Sequence, residues 1–479
     1  MMDACCVRQY GGRKMAKNVR LDERGFRKFG MRDKFSYAAG DFGCNCSFAL
    51  AGTWFTAFWT QYMKIDEVFF AALLIAFKVW DAINDTMIGS IMDGSKKQYK
   101  RGKFLSYIFV GSILLTVSAC LCFLPIPNAN MIVKCLICTL GYVAWDAAYT
   151  IVNVPYGSML SVITTDPGQR AQLGAWRMLG SMVAALPIGI VLPMFLYDAE
   201  KNIIGERLFF AALILGVLGL VAFLFMVKTT VIRVKTDVKV SEQKFNLFAS
   251  IGDFMKNRAA LGATLQPVAM FIGTYGAATA TQVMFQSYFK MPEISGVMQI
   301  VSLLPMFAFM PFTKKMTEKF GKKEATAFGL ILSVIACVLM LVVPIKPNMN
   351  GVIVYIVLQL VNGVGMGAGM CMANAMMADA IDYNEWRTGK REEGITYAIH
   401  SFFRKLAQGV GPSLGLVLMV AVGYDAELGA AQLEGVPFKI RILVAAMYLV
   451  SAVLMFVATK WVYNLDKKTL EQMNKDLGR

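Results

Sequence analysis

Several charged and amide side chains stand where an apolar environment would be expected to exclude them. The segment KVWDAINDTMIG sets Lys78, Asp81, Asn84 and Asp85 inside a long hydrophobic stretch. On a helix, Asp81 and Asp85 share one face, about 6 Å apart along the axis. Two carboxylates that close in a low dielectric repel, so one takes a proton or the pair shares a cation. Oxygen-only ligands suit a hard ion such as sodium. The competing reading is that Lys78 or another base pairs with the acids as structural glue. A second segment, WDAAYTIVNVPYG, carries Asp146, Thr150 and Asn153 at i, i+4 and i+7, a single helical stripe. Thr150 can complete an oxygen cage beside Asp81 and Asp85, and the Asn153 amide can bond a ligand. The same stripe also fits plain hydrogen bonding between helices.

Asp41 and Asn45 repeat the i, i+4 spacing within GDFGCNCSF, and Arg177, His400 and Lys405 stand in later apolar stretches. An arginine fork matches a carboxylate or a pair of sugar hydroxyls, although Arg177 can also snorkel to an interface. Lys405 can neutralise the acids when no cation is bound, or touch the ligand directly. His400, the single histidine in the chain, reads either as a proton relay or as a hydrogen-bonded helix residue. A charge held at mid-membrane costs at least ~2.5 kcal/mol, which makes each of these a functional candidate.

Other chemistries find no support. There is no GxxxxGK[ST] phosphate loop, so ATP-driven pumping is not expected, and one histidine cannot build a histidine-based metal site. Cys135 and Cys138 have the spacing of a redox pair but lack companions, and packed thiols explain them better. No catalytic residue and no cofactor are expected beyond a co-transported ion.

The elements that must position these groups are membrane helices. Of 479 residues, 57% are hydrophobic and only 17% charged, with a mean hydropathy of +0.53. A soluble core could not hide so much apolar surface, whereas about a dozen spans of roughly 20 residues could use it. Apolar spans are expected near 35–63, 67–92, 104–126, 131–160, 171–197 and 207–228, then near 257–289, 295–313, 324–345, 350–380, 394–424 and 438–463. The expected organisation is a basic segment 1–34, a six-helix bundle 35–230, a linker 231–255, a second six-helix bundle 256–464 and a tail 465–479. This is an all-α membrane protein of the major facilitator layout, whose sites lie between the halves near mid-membrane. Two Gly-containing basic turns, DGSKKQYKRGKF and TKKMTEKFGKKEA, agree modestly with an internal repeat.

The formal charge of +16 would suggest nucleic acid in a soluble protein. Here Lys and Arg crowd alternate connections, while LPIPNAN and KMPEI carry few or none. That positive-inside pattern places both termini in the cytoplasm and gives the charge an orienting role. No nucleic-acid partner is expected. The N-terminus has no apolar h-region of a cleaved signal, and Met15 is a candidate start. A multi-pass cell-membrane protein of bacterial type, monomeric in the bilayer, is the expectation.

Six segments carry a resemblance: KFSYAAGDFGCN, WDAINDTMIG, KRGKF, YTIVNVPYGSML, TTDPGQRAQLGAWR and ADAIDYNEWRTGKREEGITYAIHSFFRKLAQGVG. With these the chain resembles the glycoside–pentoside–hexuronide:cation symporters, which include the melibiose and glucuronide carriers. The resemblance implies sodium or lithium at Asp81, Asn84, Asp85 and Thr150, with protons the alternative. It also implies a sugar site at Asn45, Asn153, Arg177 and Lys405, to which His400 is added as a candidate. Asn45 and Asn153 stand where the melibiose carrier has acids, and Gly157 where it has a stacking tryptophan. Asn for Asp removes negative charge that would repel a uronate, leaving Arg177 and Lys405 to attract one. Asp41, Lys78 and Asp146 are left as coupling or structural charges, and Asp146 can pair with Lys405, raise cation affinity or change ion preference. The expected function is cation:sugar symport, and the rival is a sodium-linked lysolipid carrier on the same architecture, which would need a wide apolar path.

Overall fold

The computed structural model describes residues 27–94, 102–164, 166–233, 254–298, 301, 304–305, 313–389 and 393–477. The basic segment up to residue 26, most of the linker 231–255 and much of the span expected at 295–313 lie outside the described residues. The described elements are helices: α1 (Met31–Ala57), α2 (Glu67–Gly94), α3 (Lys103–Cys122), α4 (Met131–Ile163), α5 (Pro167–Leu186) and α6 (Gly205–Thr229). They continue as α7 (Arg258–Ser287), a short α8 (Thr313–Phe320), α9 (Lys322–Val342), α10 (Met349–Thr388), α11 (Glu393–Ala421), α12 (Val436–Val457) and a terminal α13 (Lys467–Asp476). Apart from one isolated bridge between Tyr197 and Ile203, no strand pairing is found among the described residues.

Local chemistry sets the helix ends. Asn130 opens α4 by accepting the Ile132 N–H at 2.9 Å. Asp166 opens α5 by accepting the Gln169 N–H at 2.6 Å, with Pro167 in the first turn, where its missing N–H costs nothing. Gly389 closes α10 at φ +70°, a left-handed cap that favours glycine. Between these ends, eight described helices are long and apolar enough to cross a membrane. Helices α1, α2 and α11 have spanning length but fall outside those eight. They carry Asp41, then Lys78, Asp81 and Asp85, then Arg404 and Lys405. The three helices that depart from a plain membrane composition thus each carry candidate-site residues, which α4 and α5 complete.

The packing repeats itself. Helix α1 lies on α5 and α6 as α7 lies on α11 and α12, while α3 lies on α4 and α6 as α9 lies on α10 and α12. Lipid tails give no hydrophobic drive for helix pairing, so close backbone approach must supply the contact. A Cβ added at Gly415 would stand 2.5 Å from the Gly276 carbonyl oxygen, which fixes the α7–α11 crossing to glycine. The same holds between α1 and α6, where a Cβ at Gly43 would meet the Phe223 ring at 2.7 Å. In the first set, Phe55 of α1 touches the rings of Trp59, Phe70, Phe77, Phe123 and Tyr142 and ties α1, α2 and α4 together. Between the two sets the most extensive packing joins α2 to α11, so the acids of α2 face the bases of α11.

Candidate cation and substrate site

Asp81 and Asp85 of α2 each have a base beside them. Lys78 Nζ lies 3.5 Å from Asp81 on the same helix. Lys405 of α11 pairs directly with Asp85, across 320 residues of sequence. Asp81 and Asp85 therefore do not face each other unscreened, and the reading of lysine neutralisation fits both. Asp146 sits in the field of Asp81 and Lys78. It does not pair with Lys405, one of the roles considered for it.

A buried network joins α2 to α4. The Asn84 amide donates to Asp146 Oδ2 and to Thr150 Oγ1, both at 3.0 Å, and the Thr150 hydroxyl donates to Asp85 Oδ1 at 3.0 Å. Asn84, Asp146 and Thr150 are all buried. One atom is left over: the Asn84 carbonyl oxygen is buried with no hydrogen-bond partner. A buried acceptor without a partner is unfavourable and calls for one. A monovalent cation is one such partner, and the neighbouring donor set is all oxygen. No group of three His, Cys, Asp or Glu side chains is placed to hold a metal among the described residues. The set that fits an ion here has two carboxylates, Asp81 and Asp85, completed by the neutral oxygens of Asn84 and Thr150.

The second group lies between α1, α4 and α5. Arg177 Nε donates to Asp41 Oδ1 at 2.9 Å, and its guanidinium stands 5.0 Å from the Tyr156 ring centre. The Asn45 amide donates to Asp41 Oδ2 at 3.2 Å and to the Asp41 carbonyl at 2.9 Å. Asp41, Asn45 and Arg177 thus form one unit in which the arginine already has its anion. Asn153 is half-buried and makes no hydrogen bond among the described residues. One turn on, nothing lies within 4 Å of a Cβ built at Gly157, so open space adjoins the Asn153 amide. His400 is not brought into either group. It is 1% exposed, and its Nδ1 bonds the Thr264 hydroxyl at 3.0 Å within the α7–α11 contact.

Two features escape sequence reading. Arg404, next to Lys405, is half-buried in mid-helix; its residue type in an apolar span was the available signal. The other is a layer of bonds across the two helix sets at one end of the bundle. Gln61 donates to Gln286 at 3.1 Å and to Tyr424 at 3.0 Å, and Gln286 donates to the Lys201 carbonyl at 3.0 Å. Lys201 pairs with Glu293, and Glu67 accepts the Ala426 N–H at 2.6 Å. Polar residues at helix ends are too common to single these out in a sequence. This layer and the Lys405–Asp85 pair are hydrogen bonds that join the two sets among the described residues. At the opposite end, Arg27 and Arg233 pair with Asp33 within the first set, and Lys322 pairs with Asp379 within the second.

Comparison with known proteins agrees with this architecture. The family described as MFS/sugar transport protein matches residues 36–467. An "uncharacterized symporter YjmB" of Bacillus subtilis (strain 168) is 27% identical, covering 94% of this chain and 96% of its own. The "glucuronide carrier protein homolog" of Escherichia coli (strain K12) is 24% identical over 91% of this chain and 93% of its own. The "isoprimeverose transporter" of Lactiplantibacillus pentosus is 26% identical over 82% and 81%. Among solved structures, the nucleoside transporter NupG superposes with a TM-score of 0.57 at 15% identity, over 90% of this chain and 100% of that one. A bacterial homolog of the human lysosomal transporter Spinster, inward-facing and occupied, gives 0.58 at 13%, over 90% and 97%. At such identities the structures speak for the fold alone. The match along nearly the whole chain speaks for more: the protein belongs to the MFS/sugar transport family, as a membrane transporter of the glycoside–pentoside–hexuronide symporter type and not an enzyme.

Proposed function

We propose that the chain couples the entry of a monovalent cation, sodium first and protons second, to uptake of a glycoside, pentoside or hexuronide. The observation that carries the reading is the unpartnered Asn84 carbonyl oxygen, set beside Thr150 and Asp85. In the proposed cycle the ion binds Asp81, Asn84, Asp85 and Thr150 and displaces Lys405 from Asp85. Lys405, 42% exposed, then turns toward the sugar, which Asn45, Asn153 and Arg177 hold from the first half. Cation and sugar raise each other's affinity because each favours the arrangement in which Lys405 has left the acid. Relatives described as a glucuronide carrier homolog and an isoprimeverose transporter support a sugar cargo.

Twelve spans, in halves 35–230 and 256–464, rock about this site in the proposal. Both termini lie in the cytoplasm of the cell membrane, and the unit is monomeric. The basic connections then mark the inner side, and the Gln61–Gln286–Tyr424 layer closes the outer side. The test is uptake by proteoliposomes under an inward sodium gradient, offering labelled methyl glycosides, a glucuronide and a lysolipid. Sodium-driven accumulation of a glycoside is expected. Lysolipid transport without glycoside uptake would overturn the sugar assignment, and uptake indifferent to every cation gradient would overturn the coupling.

A further inference from the structure

Three of the bases at mid-depth have an acid within reach: Lys78 has Asp81, Arg177 has Asp41 and Lys405 has Asp85. Arg404 does not. Among the described residues no ion pair or hydrogen bond is found for it, and its Nε is buried without a partner. Its setting is built. On α11 it follows His400 by one turn and precedes Gly411 by two, the face that packs against α7 through Thr264 and the backbone of Phe271 and Ile272. Tyr275 of α7, 38% exposed and stacked on Phe271, lies in the electrostatic field of both Arg404 and Lys78. On the same stretch of α11, a Cβ at Gly409 would meet the Lys78 side chain of the other half and one at Gly411 would lie 3.1 Å from Tyr275 Cβ, so this stretch and Tyr275 stand at the seam where the two halves meet.

An arginine held in a membrane protein without a counter-anion is unfavourable unless something transient supplies one. Its planar fork matches an oxyanion in bidentate fashion. We propose that Arg404 is the residue that selects an oxyanion carried on the sugar, a carboxylate or a sulfonate, with Tyr275 beside it. Arg177 and Lys405 hold the sugar and the coupling state and do not choose its charge. This rests on the reading of the chain as a sugar symporter and adds to it the group that decides between charged and neutral cargo. Direct attraction by Arg177, expected from sequence, is weakened by the carboxylate already bound to it.

The experiment compares three probes of the same ring: methyl glucuronide, methyl sulfoquinovoside and methyl glucoside, in sodium-driven uptake by the full-length protein. Wild type is expected to prefer at least one anionic probe over the glucoside, and the two anionic arms tell carboxylate from sulfonate. In Arg404→Gln the anionic-to-neutral ratio of kcat/KM should fall at least tenfold, and Arg404→Lys should restore part of it. A ratio unchanged in Arg404→Gln, or a wild type that prefers the glucoside, overturns the assignment while leaving symport intact. Absence of uptake of all three by wild type removes the symport reading and this inference with it. Should Arg404→Gln fail to fold, the ratio in Arg404→Lys decides: unchanged at full expression, it overturns the assignment.

Discussion

Replacing Asp85 by Asn keeps the side-chain shape and removes one charge from the proposed ion site. In the structure that carboxylate accepts the Thr150 hydroxyl at 3.0 Å and pairs with Lys405. A hydrogen bond to a charged group is worth about 1.5–3 kcal/mol. Asp85 is 29% exposed, so the lower half of that range applies after screening. A loss of about 1.5–2.3 kcal/mol corresponds to a roughly 10- to 50-fold weaker cation site. The amide cannot recover the loss, because it offers one neutral oxygen where the ion had a carboxylate. Lys405 meanwhile loses its partner and stays turned toward the sugar in the absence of any ion. The expected phenotype is uncoupling: sugar exchange at equilibrium persists, accumulation stops, and the sodium activation constant rises at least tenfold. The assay pairs a sodium titration of uptake with calorimetric sodium binding to purified protein. A variant that still concentrates substrate, or whose sodium affinity stays within threefold of wild type, would falsify the ion-site argument.

Thr150→Val removes the hydroxyl that links Asn84 to Asp85 and should weaken sodium activation about 10- to 50-fold, the screened worth of one hydrogen bond to a carboxylate, as read by the same titration. Asp33 is the buried anion shared by Arg27 at 2.7 Å and Arg233 at 3.0 Å. Asp33→Ala should therefore destabilise the protein by about 3 kcal/mol or more, since it strands buried charge, with a lower melting temperature in detergent as the readout. The double variant Gln61→Ala with Tyr424→Phe removes the three neutral hydrogen bonds that Gln61 shares with Gln286 and Tyr424, about 1.5–4.5 kcal/mol together. It should speed labelling of a Gly157→Cys reporter by an impermeant maleimide from outside at least fivefold, and an unchanged rate would remove the gate reading.

Much of the helix framework is visible in the chain because a bilayer demands long apolar runs, and the runs announce themselves. The candidate ion site is visible for the converse reason: Asp81 and Asp85 break such a run. Which base meets which acid is not visible. That pairing depends on the rotation of α11 against α2, set by contacts such as Gly409 against the Lys78 stem, and no spacing within one helix encodes it. Arg177 illustrates the cost. As a residue type it reads as a free anion receptor, while its geometry ties it to Asp41 at 2.9 Å. His400 is a candidate by its place in an apolar span and as the single histidine of the chain, and it is packed against Thr264. Arg404 stands next to Lys405 in the same apolar run, so sequence alone does not separate the role of one from that of the other.

The pairing of charges at mid-depth has an electrical consequence. Among the described residues, Lys78, Arg177, Arg404 and Lys405 stand against Asp41, Asp81, Asp85 and Asp146, four against four. With all eight ionised these charges sum to zero, so in the proposed cycle the empty protein resets with no net charge among them and the membrane voltage has no grip on that step. In that cycle, loading one sodium ion with a neutral glycoside would add a single positive charge, worth about 2.3 kcal/mol per 100 mV across the full membrane. Loading it with a uronide adds none. Sugars of one ring shape but different charge would thus be driven by different forces, the first by voltage and ion gradient together, the second by the ion gradient alone.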